Sequence, residues 1–195
     1  MAMTTIGFVR HGITEWNVEG RAQGQTDIPL NEEGRKQAAA LADRLLSEEG
    51  WDVIASSDLQ RARETAEIIA HRLHIGEIVF DERLREIHCG LIEGLTVEER
   101  IAKWGEDWRG QELEMEPSEE AGKRAIAFVD EIVEKHKGQR ILIVSHGALI
   151  GLALEGLVPG QFVKARMGNT SLTTIAHIEE KWTCSLYNCT KHLET

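Results

Sequence analysis

The chain has 195 residues and is acidic, with 22 Lys and Arg against 33 Asp and Glu and a formal net charge of −11 at pH 7. Nucleic acid and anionic membrane surfaces would repel such a protein, so neither is expected as a partner. The length is enough to bury one full core, and with 3 prolines and no linker-like tract we expect a single domain over residues 1–195. The 3 cysteines and the lack of an apolar leader are typical of a cytoplasmic protein. Its oligomeric state has no signature in the sequence.

The first half of the chain predicts strands that alternate with helices. Three short apolar runs predict buried strands: residues 5–9, 53–55 and 78–80. After Asn31, which is a good capping residue, apolar side chains recur at helical spacing up to Leu46. A second helix is expected over residues 59–73, with capping side chains offered by residues 56–58.

The second half continues the alternation after a break. Residues 95–120 are acidic and contain Trp104 and Trp108 without sustained periodicity, so we expect a short insertion that covers the functional crevice. The other predicted elements are a helix from 118 or 119 to about 137, a strand over 141–144, a helix over 148–157, and edge strands over 171–178 and 182–187. This order favours the α/β class, as a three-layer α/β/α sandwich with a mostly parallel central sheet.

Two similar motifs follow strands that are apolar on every residue. Arg10-His11-Gly12 follows the first strand, and Ser145-His146-Gly147 follows the strand over residues 141–144. In parallel sheets ligands bind at the carboxyl ends of the strands, so we expect the two histidines to meet in one crevice. Arg61 follows another strand to the same edge, and Gly147 allows the backbone to approach a ligand at a helix N-terminus. The combination indicates a site for a phosphoryl group.

These motifs, with others in the same order along the chain, resemble the histidine phosphatase superfamily, also called the phosphoglycerate mutase-like family. The matching segments are Arg10-His11-Gly12-Ile13-Thr14-Glu15-Trp16-Asn17, Gln23-Gly24, Leu84-Arg85-Glu86 and Val144-Ser145-His146-Gly147. The resemblance extends over nearly the whole chain.

The resemblance implies a role for each matching residue. His11 matches a nucleophile that becomes a phosphohistidine, and Glu86 matches the general acid that protonates the leaving oxygen and then activates water. The remaining catalytic matches neutralise the phosphoryl oxygens: Arg10, Arg61 and His146. Further substrate contacts are implied at Asn17, Gln23 and Gly24. Without the resemblance, Glu86 reads equally well as an ordinary surface carboxylate.

The resemblance also covers two different activities. Residues 95–117 are rich in acidic side chains, and Val97 and Cys89 stand where the mutases carry a lysine and a tyrosine. Such a cover should admit water and bind a second anion poorly, which favours a metal-independent phosphatase that hydrolyses small phosphorylated metabolites. The alternatives are a cofactor-dependent phosphoglycerate mutase and a non-catalytic phosphate-binding module.

No cofactor or metal ion is expected for the favoured activity, because arginine and histidine supply the charge stabilisation that phosphoryl transfer needs. Cys184, Cys189 and His192 match no common zinc-binding spacing. The physiological substrate is left open.

Overall fold

A six-stranded mixed sheet runs through the middle of the computed structural model, which describes residues 3–178 and 181–194. The strands are β1 (Thr4–Arg10), β2 (Val53–Ser56), β3 (Ile78–Phe80), β4 (Arg140–Ser145), β5 (Leu172–Ile178) and β6 (Lys181–Cys189). Their order across the sheet is β3-β2-β4-β1-β5-β6. The first four strands in this order pair in parallel, while β5 and β6 are antiparallel at one edge.

Helices cover both faces of the sheet. They are α1 (Glu15–Val18), α2 (Glu32–Leu46), α3 (Gln60–Leu73), α4 (Val97–Trp104), α5 (Ser118–Lys135) and α6 (Gly147–Leu157). The predicted α/β sandwich with a mostly parallel sheet is confirmed. Within the described part of the chain, no helix combines the length and the apolar character needed to cross a bilayer.

The continuous apolar run of β4 reflects burial on both of its sides. Ile141 and Ile143 pack with α5 and α6 on one face of the sheet, whereas Leu142 and Val144 pack with α2 and α3 on the other. Because side chains alternate along a strand, a strand between two helical layers must be apolar at every position.

The caps of α2 and α3 come from different sources. Asn31 caps α2 as expected, since its side chain accepts from the Gly34 N–H at 2.8 Å. For α3, however, the first helical amide, that of Gln60, donates to Asp27 Oδ1 at 2.7 Å. Ser57 Oγ accepts from the Leu59 N–H at 3.3 Å, just before the helix, as expected. At the first helical amide the expectation that residues 56–58 supply the cap is wrong, because a carboxylate from a distant loop binds that amide.

Residues 95–120 contain a short helix, α4, that the sequence analysis did not predict. Thr96 Oγ1 accepts from the Glu99 N–H at 3.2 Å, and the Glu99 carboxylate accepts from the Thr96 N–H at 2.9 Å. This reciprocal pair is a capping box, which fixes the start of α4. Further along, Trp108 and Leu113 belong to a small separate core.

Gly151 lies in the middle of α6, and a Cβ added there would meet no described atom of the surrounding structure within 4 Å. We expect Gly151→Ala to raise the free energy of unfolding by about 0.5–1 kcal/mol, because alanine loses less backbone entropy than glycine in a helix. Urea denaturation measures the difference. Gly156→Ala is the matched control in the same helix: its Cβ would collide with the Ile126 side chain. An equal gain in the two variants would contradict the argument from packing.

Candidate active site

The parallel pairing of β1 with β4 brings the two sequence motifs together. Arg10 and Ser145 are register partners at the ends of these strands. The His11 N–H donates to the Ser145 carbonyl at 3.0 Å. The rings of His11 and His146 therefore lie side by side, with centroids 5.2 Å apart, and both side chains are buried. The structure thus places the two histidines in one crevice.

The hydrogen bonding of His11 selects one of its two neutral forms. Nδ1 lies 2.7 Å from the carbonyl oxygen of Gly12. Because a carbonyl only accepts, Nδ1 is assigned the proton and Nε2 keeps the lone pair. Burial, reinforced by the positive charges of Arg61 and Arg10, lowers the pKa of His11 well below its ordinary value of 6.5. The ring is neutral at pH 7, and its Nε2 has the electronic form of a nucleophile.

Contacts from distant parts of the chain hold the loop after β1 in place. The Gly12 N–H donates to Thr65 Oγ1 at 3.0 Å. From another segment, Asn169 Nδ2 donates to the His11 carbonyl at 3.1 Å. A Cβ at Gly12 would lie 2.5 Å from the Gly34 carbonyl oxygen, so this close approach requires glycine. Sequence analysis missed Thr65 and Asn169, because neither belongs to a recognisable motif.

Arg10 and Arg61 are buried cations that form no ion pair with a carboxylate among the described residues. Arg10 Nη1 donates to the Met167 carbonyl at 2.5 Å. Arg61 donates to the carbonyl oxygens of Thr26, at 2.9 Å, and Gly24, at 2.7 Å. Burial lowers the pKa of each guanidinium to about 10, so both stay protonated at pH 7. Carbonyl groups accept from some of the N–H donors without cancelling the charge, which leaves two cations and their remaining donors available to an anion.

Three buried nitrogen atoms around the site have no hydrogen-bond partner among the described residues: Arg10 Nε, Arg61 Nε and His146 Nδ1. The other nitrogen of His146, Nε2, lies 2.9 Å from Ser57 Oγ. Burial and the charge of Arg61 lower the pKa of His146 well below 6.5, so this ring is also neutral at pH 7. A buried donor without a partner costs about 1–3 kcal/mol, and an anion that accepts from these nitrogens would offset that cost.

Glu86 occupies the helix N-terminus that the sequence analysis assigned to the phosphoryl group. Its Oε1 accepts from the N–H groups of Ile87 and Leu149, both at 3.0 Å. Its Oε2 accepts from the Ala148 N–H at 3.2 Å. The expectation that the first amides of α6 face the phosphoryl group is therefore wrong in this structure, because a carboxylate of the chain itself takes the positive end of the helix.

Arg124 of α5 holds the segment that carries Glu86. Its Nη1 donates to the carbonyl oxygens of Arg83 and Arg85, both at 2.7 Å. Its Nη2 donates to the Glu86 carbonyl at 3.1 Å. A bidentate pair with Glu116, at 2.7 and 2.9 Å, fixes the guanidinium itself. Sequence analysis missed Arg124, because a charged residue in a helix ordinarily indicates a solvated face.

Asn17 and Gln23 are linked through Thr14. The Thr14 N–H donates to Asn17 Oδ1 at 3.1 Å, which is also 3.3 Å from Asn169 Nδ2. The amide donors of Asn17 are therefore the part of its side chain left for a ligand. Thr14 Oγ1 donates to Gln23 Oε1 at 2.9 Å, so the amide donors of Gln23 are left in the same way.

Gly24 supports Arg61 through its carbonyl group and has a φ of +52°. A Cβ at this position would collide with the Glu93 carboxylate. Glu93 accepts from the N–H groups of Gln25 and Thr26, both at 3.0 Å, and so anchors the loop whose carbonyl groups hold Arg61. The structure thus places Gly24 behind the arginine, as a support for it.

The thiol of Cys89 stays protonated at pH 7. Burial and the charges of Glu86 and Glu93 raise its pKa to about 12. Since the thiolate is the reactive form, Cys89 is a poorer nucleophile than the neutral His11. In the described ranges, no group of three or more His, Cys, Asp or Glu side chains is placed to hold a metal ion.

A cavity of about 550 Å³ opens next to Arg10, Glu86 and Gly147. Of the predicted cover, residues 95–120, only Ser118 lines this cavity within the described part of the chain. The opposite wall comes instead from residues 162–167, between α6 and β5. The 95–120 segment contributes little to this cavity, because Trp108 and Leu113 pack with Ile92 in a separate small core, and its role as a cover of the active site stays a prediction.

The two buried histidines should make the protein less stable in mild acid. Their pKa values are lowered on folding, so their contribution is full above pH 6.5 and is lost as the pH falls towards the folded-state values. We expect the free energy of unfolding to fall between pH 6.5 and 5 by about 1 kcal/mol per pH unit for each histidine. Urea denaturation across this range measures the slope.

His11→Gln is the control for this slope. It should remove the contribution of one histidine, whereas His192, whose pKa burial lowers to about 4, contributes equally in both proteins. An unchanged slope in His11→Gln would show that His11 is not buried in its neutral form.

Comparison with known proteins places this arrangement in a family. The model of the histidine phosphatase superfamily (branch 1) matches residues 6–190. The chain is 35% identical to "Uncharacterized phosphatase PhoE" of Bacillus subtilis, covering 98% of this chain and 97% of that protein. It is 36% identical to "Probable phosphoglycerate mutase GpmB" of Escherichia coli, covering 94% and 89%.

A solved structure agrees with the sequence relatives. The phosphoserine phosphatase of Entamoeba histolytica, crystallised as a mutant with phosphoserine, superimposes with a TM-score of 0.81 at 32% identity, covering 97% of this chain and 99% of that one. The chain therefore belongs to branch 1 of the histidine phosphatase superfamily and is a phosphoric monoester hydrolase of that type.

Proposed function

We propose that this enzyme hydrolyses small phosphate monoesters in two steps, through a phosphohistidine at His11 and without a metal ion. The observation that carries the proposal is the state of His11: a buried, neutral ring, held through Nδ1 by the Gly12 carbonyl and flanked by two buried cations. This state provides a nucleophile and a site for its anionic target at the same point.

In the first step, Nε2 of His11 attacks phosphorus and the bond between phosphorus and the ester oxygen breaks. Glu86, carrying a proton in the complex with the anionic substrate, donates that proton to the leaving oxygen. In the second step, the Glu86 carboxylate takes a proton from water, the water oxygen attacks phosphorus, and the bond to Nε2 breaks. Inorganic phosphate leaves, and His11 and Glu86 return to their starting states.

The guanidinium groups of Arg10 and Arg61 stabilise the charge on the transferred group in both steps. Backbone carbonyl groups already orient both guanidinium groups, so the arginines need no reorganisation when charge develops on the transferred group. His146 Nδ1 and the amide of Asn17 complete the proposed set of donors.

Hydrolysis is preferred over transfer to a second hydroxyl for an electrostatic reason. A phosphoglycerate mutase must hold a carboxylate and a second phosphate besides the transferred group. Of the cations that line the cavity away from the two histidines, Lys164 is paired with Glu155 at 2.5 Å, and Arg166 forms no ion pair with any described residue. A single available cation suits one further anionic group. The filled catalytic positions speak against a non-catalytic binding module.

The covalent intermediate can be trapped. The enzyme is mixed with labelled substrate in the presence of a chelator, and the reaction is quenched rapidly. We expect label on His11 that is lost in acid and stable in base, because a phosphoramidate bond has that stability. His11→Ala should lose the label and at least about a thousandfold of kcat. His71→Ala, at an exposed histidine of α3, is the control and should keep both. Label that survives acid, or turnover near the normal rate in His11→Ala, would exclude this mechanism.

Two esters with different leaving groups distinguish proton transfer by Glu86 from a role of Glu86 in substrate binding. Glu86→Gln should slow phosphoenzyme formation from an alkyl phosphate by about a hundredfold or more, because an unprotonated alkoxide leaves poorly. Nitrophenyl phosphate should lose much less in the same step, because nitrophenolate leaves without a proton. Single-turnover measurement of labelled enzyme compares the two esters. Equal losses would mean that Glu86 acts in binding or structure and not in proton transfer.

A further inference from the structure

The cavity beside Arg10 and Glu86 is large for a small leaving group. Its volume of about 550 Å³ lies within the range of about 300–1,000 Å³ that drug-sized ligands occupy. Arg10, Glu86 and Gly147 line it on the side of the proposed phosphoryl site. The alcohol part of the ester would therefore occupy the rest of the space.

Much of the remaining wall is apolar. Its larger apolar side chains are Ile87, Leu152, Phe162, Met167 and Tyr187. The rings of Phe162 and Tyr187 stack with centroids 4.6 Å apart, and the Tyr187 hydroxyl accepts from the Ala165 N–H at 3.2 Å. This contact ties the 162–167 segment to β6. A polar three-carbon skeleton would leave such a wall uncovered, whereas a ring-sized apolar group would bury it.

Arg166 adds a positive charge to this apolar space. Its side chain is exposed, lines the cavity and forms no ion pair with any described residue. Arg166 lines the same cavity as Arg10 and Met167, so its charge lies on the wall that the alcohol part of the ester would contact. The neighbouring Lys164 is neutralised by Glu155. One unpaired guanidinium at the edge of an apolar wall is suited to one carboxylate.

We infer that the preferred substrates are phosphate monoesters of amphipathic alcohols, with a ring-sized apolar body for the wall of Phe162 and Tyr187 and a carboxylate for Arg166. The inference rests on the proposed function, because it takes the phosphoryl group to lie at His11. It assigns the 162–167 segment, together with Gly151 of α6, to the recognition of the leaving group.

Three esters of primary alcohols test this substrate class: benzyl phosphate, 3-carboxybenzyl phosphate and O-phosphoserine. Their leaving oxygens are chemically similar, so differences in kcat/KM report mainly on binding of the alcohol part. We expect benzyl phosphate to exceed O-phosphoserine by about tenfold, from burial of the ring. The carboxylate should add about a further tenfold, from its charge-assisted hydrogen bonds.

Two variants assign the preferences to residues. Arg166→Gln should lower the ratio of 3-carboxybenzyl to benzyl phosphate by about tenfold, because it removes the charge and keeps much of the side-chain volume. Gly151→Leu should lower the ratio of benzyl phosphate to O-phosphoserine, because Gly151 lines the cavity and a side chain there projects into open space. Arg72→Gln is the charge-matched control on α3, where Arg72 pairs with Asp43, and should leave both ratios unchanged.

The outcomes separate the two proposals. Hydrolysis of O-phosphoserine at or above the rate of the benzyl esters would overturn the substrate class while leaving the phosphatase mechanism standing. A ratio unchanged by Arg166→Gln would overturn the carboxylate contact, even if Gly151→Leu fails to fold. No hydrolysis of any ester and no labelled His11 would overturn the proposed function, and this inference with it.

Discussion

The parallel pairing of β1 with β4 is the constraint on which the site depends. Its register places Arg10 opposite Ser145, so the residues that follow, His11 and His146, leave the sheet side by side. A slip of one residue would exchange the side chains of β4 between the two helical layers, moving Ile143 into the core built for its neighbours. Core packing on both faces therefore sets the geometry of the site.

The second organising feature is the burial of two positively charged side chains in the site. Removing a cation from water costs several kcal/mol, and most proteins reduce this cost by pairing the cation with a carboxylate. Here Arg10 and Arg61 are bound by carbonyl groups, and Glu93 anchors the loop that presents the carbonyl groups bound by Arg61. The positive field is thereby preserved where a phosphate dianion would bind, and burial together with this field keeps the histidine rings neutral.

Much of this organisation could be predicted from the sequence, because it rests on local signals. Strands that are apolar at every residue, the cap at Asn31 and the two His-Gly pairs at strand ends all follow from short patterns. What could not be predicted are contacts between loops far apart in the chain. Arg124 acts on carbonyl groups about 40 residues away, and Asn169 acts on His11 from the far end of the chain. Such contacts leave no periodic pattern in the sequence.

The errors share the same origin. The N-terminus of α6 was expected to bind a phosphoryl group, and the N-terminus of α3 was expected to be capped by its own preceding residues. In the structure each receives a carboxylate from a remote loop, Glu86 in one case and Asp27 in the other. A free helix N-terminus predicts that an anion will bind there, but it does not identify which anion.

The protonated thiol of Cys89 has a consequence for how the enzyme tolerates oxidants. Peroxide reacts with thiolates, so a thiol whose pKa is about 12 is oxidised slowly at physiological pH. Phosphatases that use a cysteine nucleophile need a low thiol pKa for catalysis and are inactivated by oxidation for the same reason. With an imidazole as the proposed nucleophile and the Cys89 thiol held protonated by burial and by the charges of two carboxylates, reactivity towards phosphorus does not depend on a group that reacts with peroxide.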